Sequence, residues 1–261
     1  MRAAAAVALL TIALSAQPRA PDPARHLAGV TGTFVMLDAA ANRYVRLNPA
    51  RAAQRFPPCS TFKIPNTLIA LQSGVAADAN HFVKYDPALK LEGQGPNGAW
   101  GRDHTLRSAF ANSVVWYYQE IARRVGDARM SAFLRQFDYG DRDMSGGLDR
   151  FWLGTLRISA NEQVEFLRRL YEGRLGVSAR TTSIAKGIMV ADETPRWRLS
   201  GKTGACRAEG EDVSMWYVGY VEKKGNVYYF ALQFGAREYG ELFAQRVIKA
   251  RAILTDLGVL D

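Results

Sequence analysis

Ser60 and Lys63, three residues apart in the run Pro57-Pro58-Cys59-Ser60-Thr61-Phe62-Lys63-Ile64-Pro65, are the pair in this chain best suited to covalent chemistry. A serine hydroxyl is a weak nucleophile and needs a neighbouring base. On a helix beginning at Ser60, residues three apart lie on one side, so Lys63 can take the serine proton once its amine is uncharged. The Ser60 N–H then stands among the free donors of the helix start, facing any oxyanion that forms. An N-capping serine followed by a solvated lysine satisfies the same spacing, so the neighbours have to decide. Three further segments follow in order. Ser113-Val114-Val115 offers a second hydroxyl at the start of a helical pattern, or a plain helix cap. Phe151-Trp152-Leu153 is an aromatic cluster. Lys202-Thr203-Gly204 lies in a strand pattern, where the glycine admits close approach to the backbone.

These segments are carried by a simple succession of elements. Thr33 to Leu37 and Arg43 to Leu47 read as strands around a turn at 39–42. The helix from Ser60 places Ile64, Leu68 and Leu71 on one face and stops near Gly74; Pro65 falls in its first turn, where little hydrogen bonding is lost. After a Gly-, Asn- and Pro-rich stretch, helices are expected over Leu106 to Ala111, Val114 to Val125, Met130 to Phe137 and Asn161 to Tyr171. Strands return at Arg196 to Thr203, Met215 to Glu222 and Val227 to Phe234, the last two around Lys223-Lys224-Gly225-Asn226. An amphipathic helix from about Glu241 to Leu257 closes the chain. Strands at both ends with helices between imply an α/β (α+β) fold, with one central sheet of about five strands built from both termini. The sheet part takes in about 28–75 and 175–261, and an inserted helical part about 76–174.

Composition narrows the partners. The 261 residues carry a net charge of +9, but the basic residues are scattered and never form a block interleaved with aromatics, so nucleic acid is not expected. The histidines (His26, His81, His104) lie far apart, and with two cysteines no metal site assembles by spacing. Met1-Arg2 followed by the apolar run Ala3 to Leu14 and the small residues to Ala16 has the form of an export signal, so residues 1–20 are expected to be removed. That run is too short to span a bilayer, and no later segment is longer, so no membrane anchor is expected.

Taken together, S-x-x-K at Ser60 and Lys63 with K-T-G at Lys202 to Gly204 resembles the penicillin-binding, active-site-serine family. Phe62, Ser113-Val114-Val115-Trp116, Tyr139-Gly140, Phe151-Trp152-Leu153 and Trp216-Tyr217-Val218-Gly219 narrow the resemblance to class D (oxacillinase-type) β-lactamases, from about residue 30 to the C-terminus. Asp141 stands where that family usually has Asn, and Gln233 where Asn is common, which puts local loop contacts and substrate range in doubt but not reaction type. The resemblance implies the serine β-lactamase/DD-peptidase-like fold, with an antiparallel sheet, a helical subdomain and one catalytic domain over 21–261. It implies hydrolysis of β-lactam antibiotics through an acyl-enzyme at Ser60, by a monomer or homodimer in the periplasm.

The family's hallmark is a carbamylated lysine, so Lys63 is expected to take up CO2 from bicarbonate, with no other cofactor, and to serve as general base in both half-reactions. Burial can lower a lysine pKa by about 3–5 units, and Val115 and Leu153 are expected to line the dry pocket. The Trp152 indole N–H is expected to donate to the carbamate. Ser113 relays a proton to the leaving nitrogen, the N–H groups of Ser60 and Ala205 form the oxyanion hole, and Lys202, Thr203 and Arg246 receive the substrate carboxylate. Arg246 is chosen by its distance from the chain end; Arg237 and Arg251 compete for the role. In this fold Cys59 and Cys206 come near one another, and export favours a disulfide over a free buried Cys59. A penicillin-sensing receptor domain or a DD-peptidase, which acylate without rapid turnover, is the alternative. Such sensors carry a membrane-spanning signalling part and tend to have a polar residue where Val115 stands.

Overall fold

Strands β1 (Gly32–Asp38) and β2 (Arg43–Leu47) form the first hairpin, with Asp38 opposite Arg43 across the 39–42 turn. The computed structural model describes residues 22–89, 93, 95, 98–238, 240 and 242–261; the expected export signal at residues 1–20 and the Glu241 end of the last helix lie outside them. Short helix α1 (Pro49–Ala52) and strand β3 (Arg55–Phe56) lead to a 3-10 turn over Cys59–Phe62, followed by α2 (Lys63–Gln72). A lobe of short strands and helices follows: β4 (Phe82–Val83), β5 (His104–Thr105), α3 (Leu106–Ala111), α4 (Val115–Val125) and α5 (Asp127–Gln136). After a 3-10 turn at Phe151–Leu153 come β6 (Ile158–Ser159), α6 (Ala160–Tyr171) and α7 (Ala179–Met189). Strands β7 (Val190–Glu193), β8 (Trp197–Arg207), β9 (Val213–Lys223) and β10 (Asn226–Ala236) complete the main sheet, and α8 (Leu242–Asp256) covers one of its faces.

The main sheet has six strands in the order β2-β1-β10-β9-β8-β7, every neighbouring pair antiparallel. Side chains alternate between its faces. Phe34, Met36, Leu232 and Phe234 pack under α8 against Ile253 and Leu254, while Val35, Leu37, Val218 and Tyr220 pack into the larger core with α2, α4 and α6. Because both faces are covered, β1, β9 and β10 read as nearly continuous apolar runs.

Besides the short pieces α1, β3, β4, β5 and β6, the structure adds β7 and α7 to the sequence reading. Strand β7 makes the sheet six-stranded rather than about five; its four residues are all exposed at a sheet edge, so no alternating pattern marks it. Helix α7 has the sequence Ala-Arg-Thr-Thr-Ser-Ile-Ala-Lys-Gly-Ile-Met, poor in strong helix formers. It is held instead by its Ser178 cap, whose Oγ accepts from Thr181 N at 3.0 Å, and by burial of Ala185, Ile188 and Met189.

Cys59 and Cys206 are joined as a disulfide, with Cα atoms 5.4 Å apart and a sequence separation of 147. A link closing so long a loop removes much freedom from the unfolded chain, and its loss should cost about 2–4 kcal/mol. Denaturant unfolding of a Cys59→Ser/Cys206→Ser protein should show that loss, and thiol titration of the unfolded, unreduced parent should find none. Two free thiols in the parent would contradict the bond.

Candidate active site

The residues Pro57 to Lys63 are held from several directions. Trp216 Nε1 donates to Pro57 O at 2.8 Å, and Pro58 O accepts from both Thr61 N (3.1 Å) and Thr61 Oγ1 (2.7 Å). Cys59 has φ of 53°, in the left-handed region that non-glycine residues seldom occupy. Ser60 therefore sits in a tight 3-10 turn rather than at the start of an α-helix, and it caps nothing. Pro65 explains this: it has no N–H to give Thr61 four residues back, so the preceding turn closes with shorter steps. Across from the turn runs β8. A Cβ at Gly204 would lie 2.9 Å from Pro58 O and 3.1 Å from Thr61 Cγ2. Gly204 is thus required for the turn to pack on the strand, a closer constraint than the substrate access expected of it.

Ser60 Oγ and Lys63 Nζ stand 2.9 Å apart. Lys63 is 2% exposed, and desolvation pushes its pKa down to about 7. Its Nζ lies 5.4 Å from the centroid of the Tyr118 ring. Burial also drives Lys202 well below its ordinary value, helped by the charges of Lys63 and then Arg246, and it lowers Arg246 to about 10. Among the described residues none of these three cations is paired with a carboxylate. With no acid beside them, these desolvated basic groups make the site receptive to an anion. The strand beside them has a free edge, because β7 pairs with β8 only as far as Ser200. A cleft of about 410 Å³ follows that edge, bounded by Lys202 and Thr203 and by Phe110, Ile188 and Met189.

Arg246 Nη1 donates to Gly204 O at 2.9 Å, so this arginine lies against β8; Arg251 is instead paired with Asp192 at 2.8 Å and Arg207 Nη2 reaches Arg237 O. Lys202 Nζ donates to Thr203 O at 3.1 Å, and Ala205 is opposite Met215 in the β8–β9 ladder. Ser113, with φ of 55°, lies between α3 and α4, and among the described residues its hydroxyl has no hydrogen bond. Val115 and Leu153 are half-buried, whereas Val114 is fully buried. Trp152 is 2% exposed and stacks on Phe62, centroids 5.3 Å apart, and its indole nitrogen has no protein partner among the described residues. The two departures from the family pattern also find places. Asp141 Oδ1 accepts from Arg157 N at 2.9 Å, a bond an Asn oxygen makes equally well, while buried Gln233 accepts from Arg51 Nε at 2.9 Å. Among the described residues no cluster of three His, Cys, Asp or Glu side chains is gathered as a metal would require.

Tyr118 and Gln163 were missed in sequence, although the spacing offered signals. Val114, Tyr118, Ile121 and Val125 recur on one face of α4, which turns Tyr118 inward. Gln163 interrupts the apolar stripe Ala160, Val164, Leu167, Leu170 of α6, and a polar residue in such a stripe needs a partner.

The chain matches the family model of the penicillin binding protein transpeptidase domain over residues 32–253. It is 46% identical over 186 residues to β-lactamase OXA-48 of Klebsiella pneumoniae, covering 71% of this chain and 68% of that protein. Over 234 residues it is 37% identical to β-lactamase OXA-10 of Pseudomonas aeruginosa, covering 88% of this chain and 86% of that one. Among solved structures, the class D β-lactamase YbXI from Nostoc superposes with a TM-score of 0.86 at 36% identity, covering 92% of this chain and 99% of that one.

A lysine held near pKa 7 works against the fold at neutral pH, because the unfolded chain binds the proton that the folded one releases. At 1.36 kcal/mol per pKa unit the ceiling on that penalty is ~5 kcal/mol, and relaxation makes ~2 the working figure. Lys63→Met should therefore raise stability by about 2 kcal/mol at pH 7 in CO2-free buffer. The gain should shrink as pH rises from 7 toward 10.5, where the unfolded lysine also becomes neutral. Denaturant unfolding across that window reads it; a destabilised Met variant would contradict a desolvated amine.

Proposed function

The chain belongs to the penicillin-binding transpeptidase family and within it to the class D β-lactamases, and on that premise we propose that it hydrolyses β-lactam antibiotics through an acyl-enzyme on Ser60. The observation that carries the proposal is the 2.9 Å contact between Ser60 Oγ and a lysine whose pKa burial lowers to about 7. A neutral amine accepts a hydroxyl proton, and it also adds CO2, which a protonated one does not. We read Lys63 as carbamylated in the working enzyme; the carbamate supplies an anionic base that can be used twice. Trp152, 2% exposed and with no hydrogen bond from its indole nitrogen among the described residues, supports this, since a buried oxyanion requires a donor.

The remaining roles follow from position. Lys63 takes the Ser60 proton, and Ser60 attacks the lactam carbonyl. The Ser60 and Ala205 N–H groups flank the developing oxyanion, each worth about 3–4 kcal/mol in such sites. Ser113, whose hydroxyl has no hydrogen bond among the described residues, carries a proton to the departing ring nitrogen. Lys63 then activates the water that releases the product. Lys202, Thr203 and Arg246 receive the substrate carboxylate, and the absence of any acid partner for Lys202 and Arg246 among the described residues supports that assignment. The apolar Ala3 to Leu14 run supports reading residues 1–20 as an export signal and the periplasm as the place of action. Among the described residues no helix is long and apolar enough to cross a membrane.

Steady hydrolysis of a chromogenic cephalosporin, followed in CO2-depleted buffer before and after adding bicarbonate, tests both levels of the proposal. Continuous turnover that rises several-fold with bicarbonate is expected, and Lys63→Ala should acylate slowly without turning over. A single stoichiometric burst from the unmodified enzyme would favour a receptor or peptidase that acylates and stops. Bicarbonate-independent turnover would contradict the carbamate alone.

A further inference from the structure

We propose that Gln163, through Thr61, is a positioning residue that holds the nucleophile turn in its reactive shape. The proposal rests on the assignment of Ser60 as the acylated residue. Gln163 is 1% exposed on α6, and its Nε2 donates to Thr61 Oγ1 at 3.0 Å. Thr61 Oγ1 in turn donates to Pro58 O at 2.7 Å, the same carbonyl that accepts the Thr61 N–H. A hydroxyl has one proton, and here it is committed to Pro58. The lone pair that remains can only accept, so the Gln163 amide must face Thr61 with its NH2 group. The relay fixes its own polarity, and a bond that is accepted strengthens the one that is donated.

The carbonyl at the end of this relay is the sensitive point of the turn. Pro58 O is wedged against β8, close enough that only glycine fits at position 204. The next residue is Cys59, held at φ of 53°. A non-glycine residue keeps such a conformation only where its surroundings over-determine it. Rotation of the Pro58–Cys59 peptide would relieve it, and that rotation requires Pro58 O to leave Thr61. Ser60 follows directly, so the same movement would carry Oγ away from Lys63 and turn the Ser60 N–H from the oxyanion.

The anchor of the relay is rigid. Helix α6 begins at a capping box in which Ser159 N donates to Glu162 Oε2 at 2.8 Å and Glu162 N donates to Ser159 Oγ at 3.2 Å. Just before it, β6 pairs with β3, the segment that enters the nucleophile turn. Gln163 Oε1 and Tyr139 OH are both buried, and the Tyr139 phenol lies against Thr61 and Gln163. Among the described residues neither Lys202 nor Arg246 hydrogen-bonds to Gln163 or Thr61, so ground-state binding should depend on the relay far less than acylation does.

The test measures the acylation rate constant and the dissociation constant of the preceding complex, with a fluorescent penicillin and active-site-titrated protein at a temperature well below unfolding. Gln163→Leu and Thr61→Val should each slow acylation ~10–100-fold, the range set by small misplacements of reacting groups, with the dissociation constant within about twofold. Thr61→Ser, which keeps the hydroxyl, should acylate near the parent rate. The double variant should be no slower than the slower single one. Thr61→Val is nearly isosteric and decides the matter should Gln163→Leu not fold. A folded Gln163→Leu or Thr61→Val protein acylating within about twofold of the parent overturns the proposal, as does a loss divided equally between binding and acylation. Failure of the parent itself to label at Ser60 would overturn the serine assignment instead.

Discussion

An amine kept out of water is the constraint on which the rest of this molecule turns. Lys63 is enclosed by the core that α2 and α4 share, and no carboxylate among the described residues compensates its charge. Beside it Lys202 is desolvated too, and its own pKa is lowered further by the charges of Lys63 and Arg246. Electrostatics in the site thus does two jobs at once. It holds a base in its neutral form beside a serine, and it leaves a positive field unanswered until an anionic substrate arrives. The fold tolerates this because the energy lost is modest beside the two cores that flank a six-stranded sheet.

Geometry supplies what electrostatics cannot. A serine near a neutral lysine is useful only if its backbone N–H and its hydroxyl point correctly at the same moment. Here that is achieved by a backbone turn in a sparsely populated conformation, pinned from every side that the chain offers. Trp216 holds Pro57, Thr61 holds Pro58, Cys206 holds Cys59, and the missing side chain of Gly204 lets β8 close on them all. The Phe62 ring, on the other side of the turn, stacks on Trp152 and meets Phe151 edge-on at 5.0 Å, which ties the aromatic cluster to the nucleophile. The motif residues are therefore parts of one packed unit and not independent tools.

Much of this was legible in the sequence, for reasons that can be stated. Strands β1, β2, β8, β9 and β10 announce themselves by apolar runs between turn residues, and α4 and α6 by their periodic faces. The motif residues Ser60, Lys63, Ser113 and Lys202 are legible because their chemistry demands fixed types at fixed spacing. Strand β7 is an exposed edge and α7 a helix made by its cap and its packing, so neither leaves a periodic trace. The 3-10 form of the nucleophile turn follows from Pro65 acting backwards on Thr61, an effect that helix-start rules do not carry. Tyr118 and Gln163 matter through contacts with residues 55 and 102 positions away, and no local pattern encodes the partner.

The most direct measurement is the titration of Lys63 itself. With lysine side chains isotopically labelled and CO2 removed, the chemical shift of the carbon beside the Lys63 amine can be followed by NMR from pH 5 to 11, the resonance being assigned by its loss in Lys63→Met. A midpoint near 7 is the expected result. A midpoint at or above 10, that of an ordinary solvated ammonium, would contradict the claim that this site works by keeping one lysine uncharged.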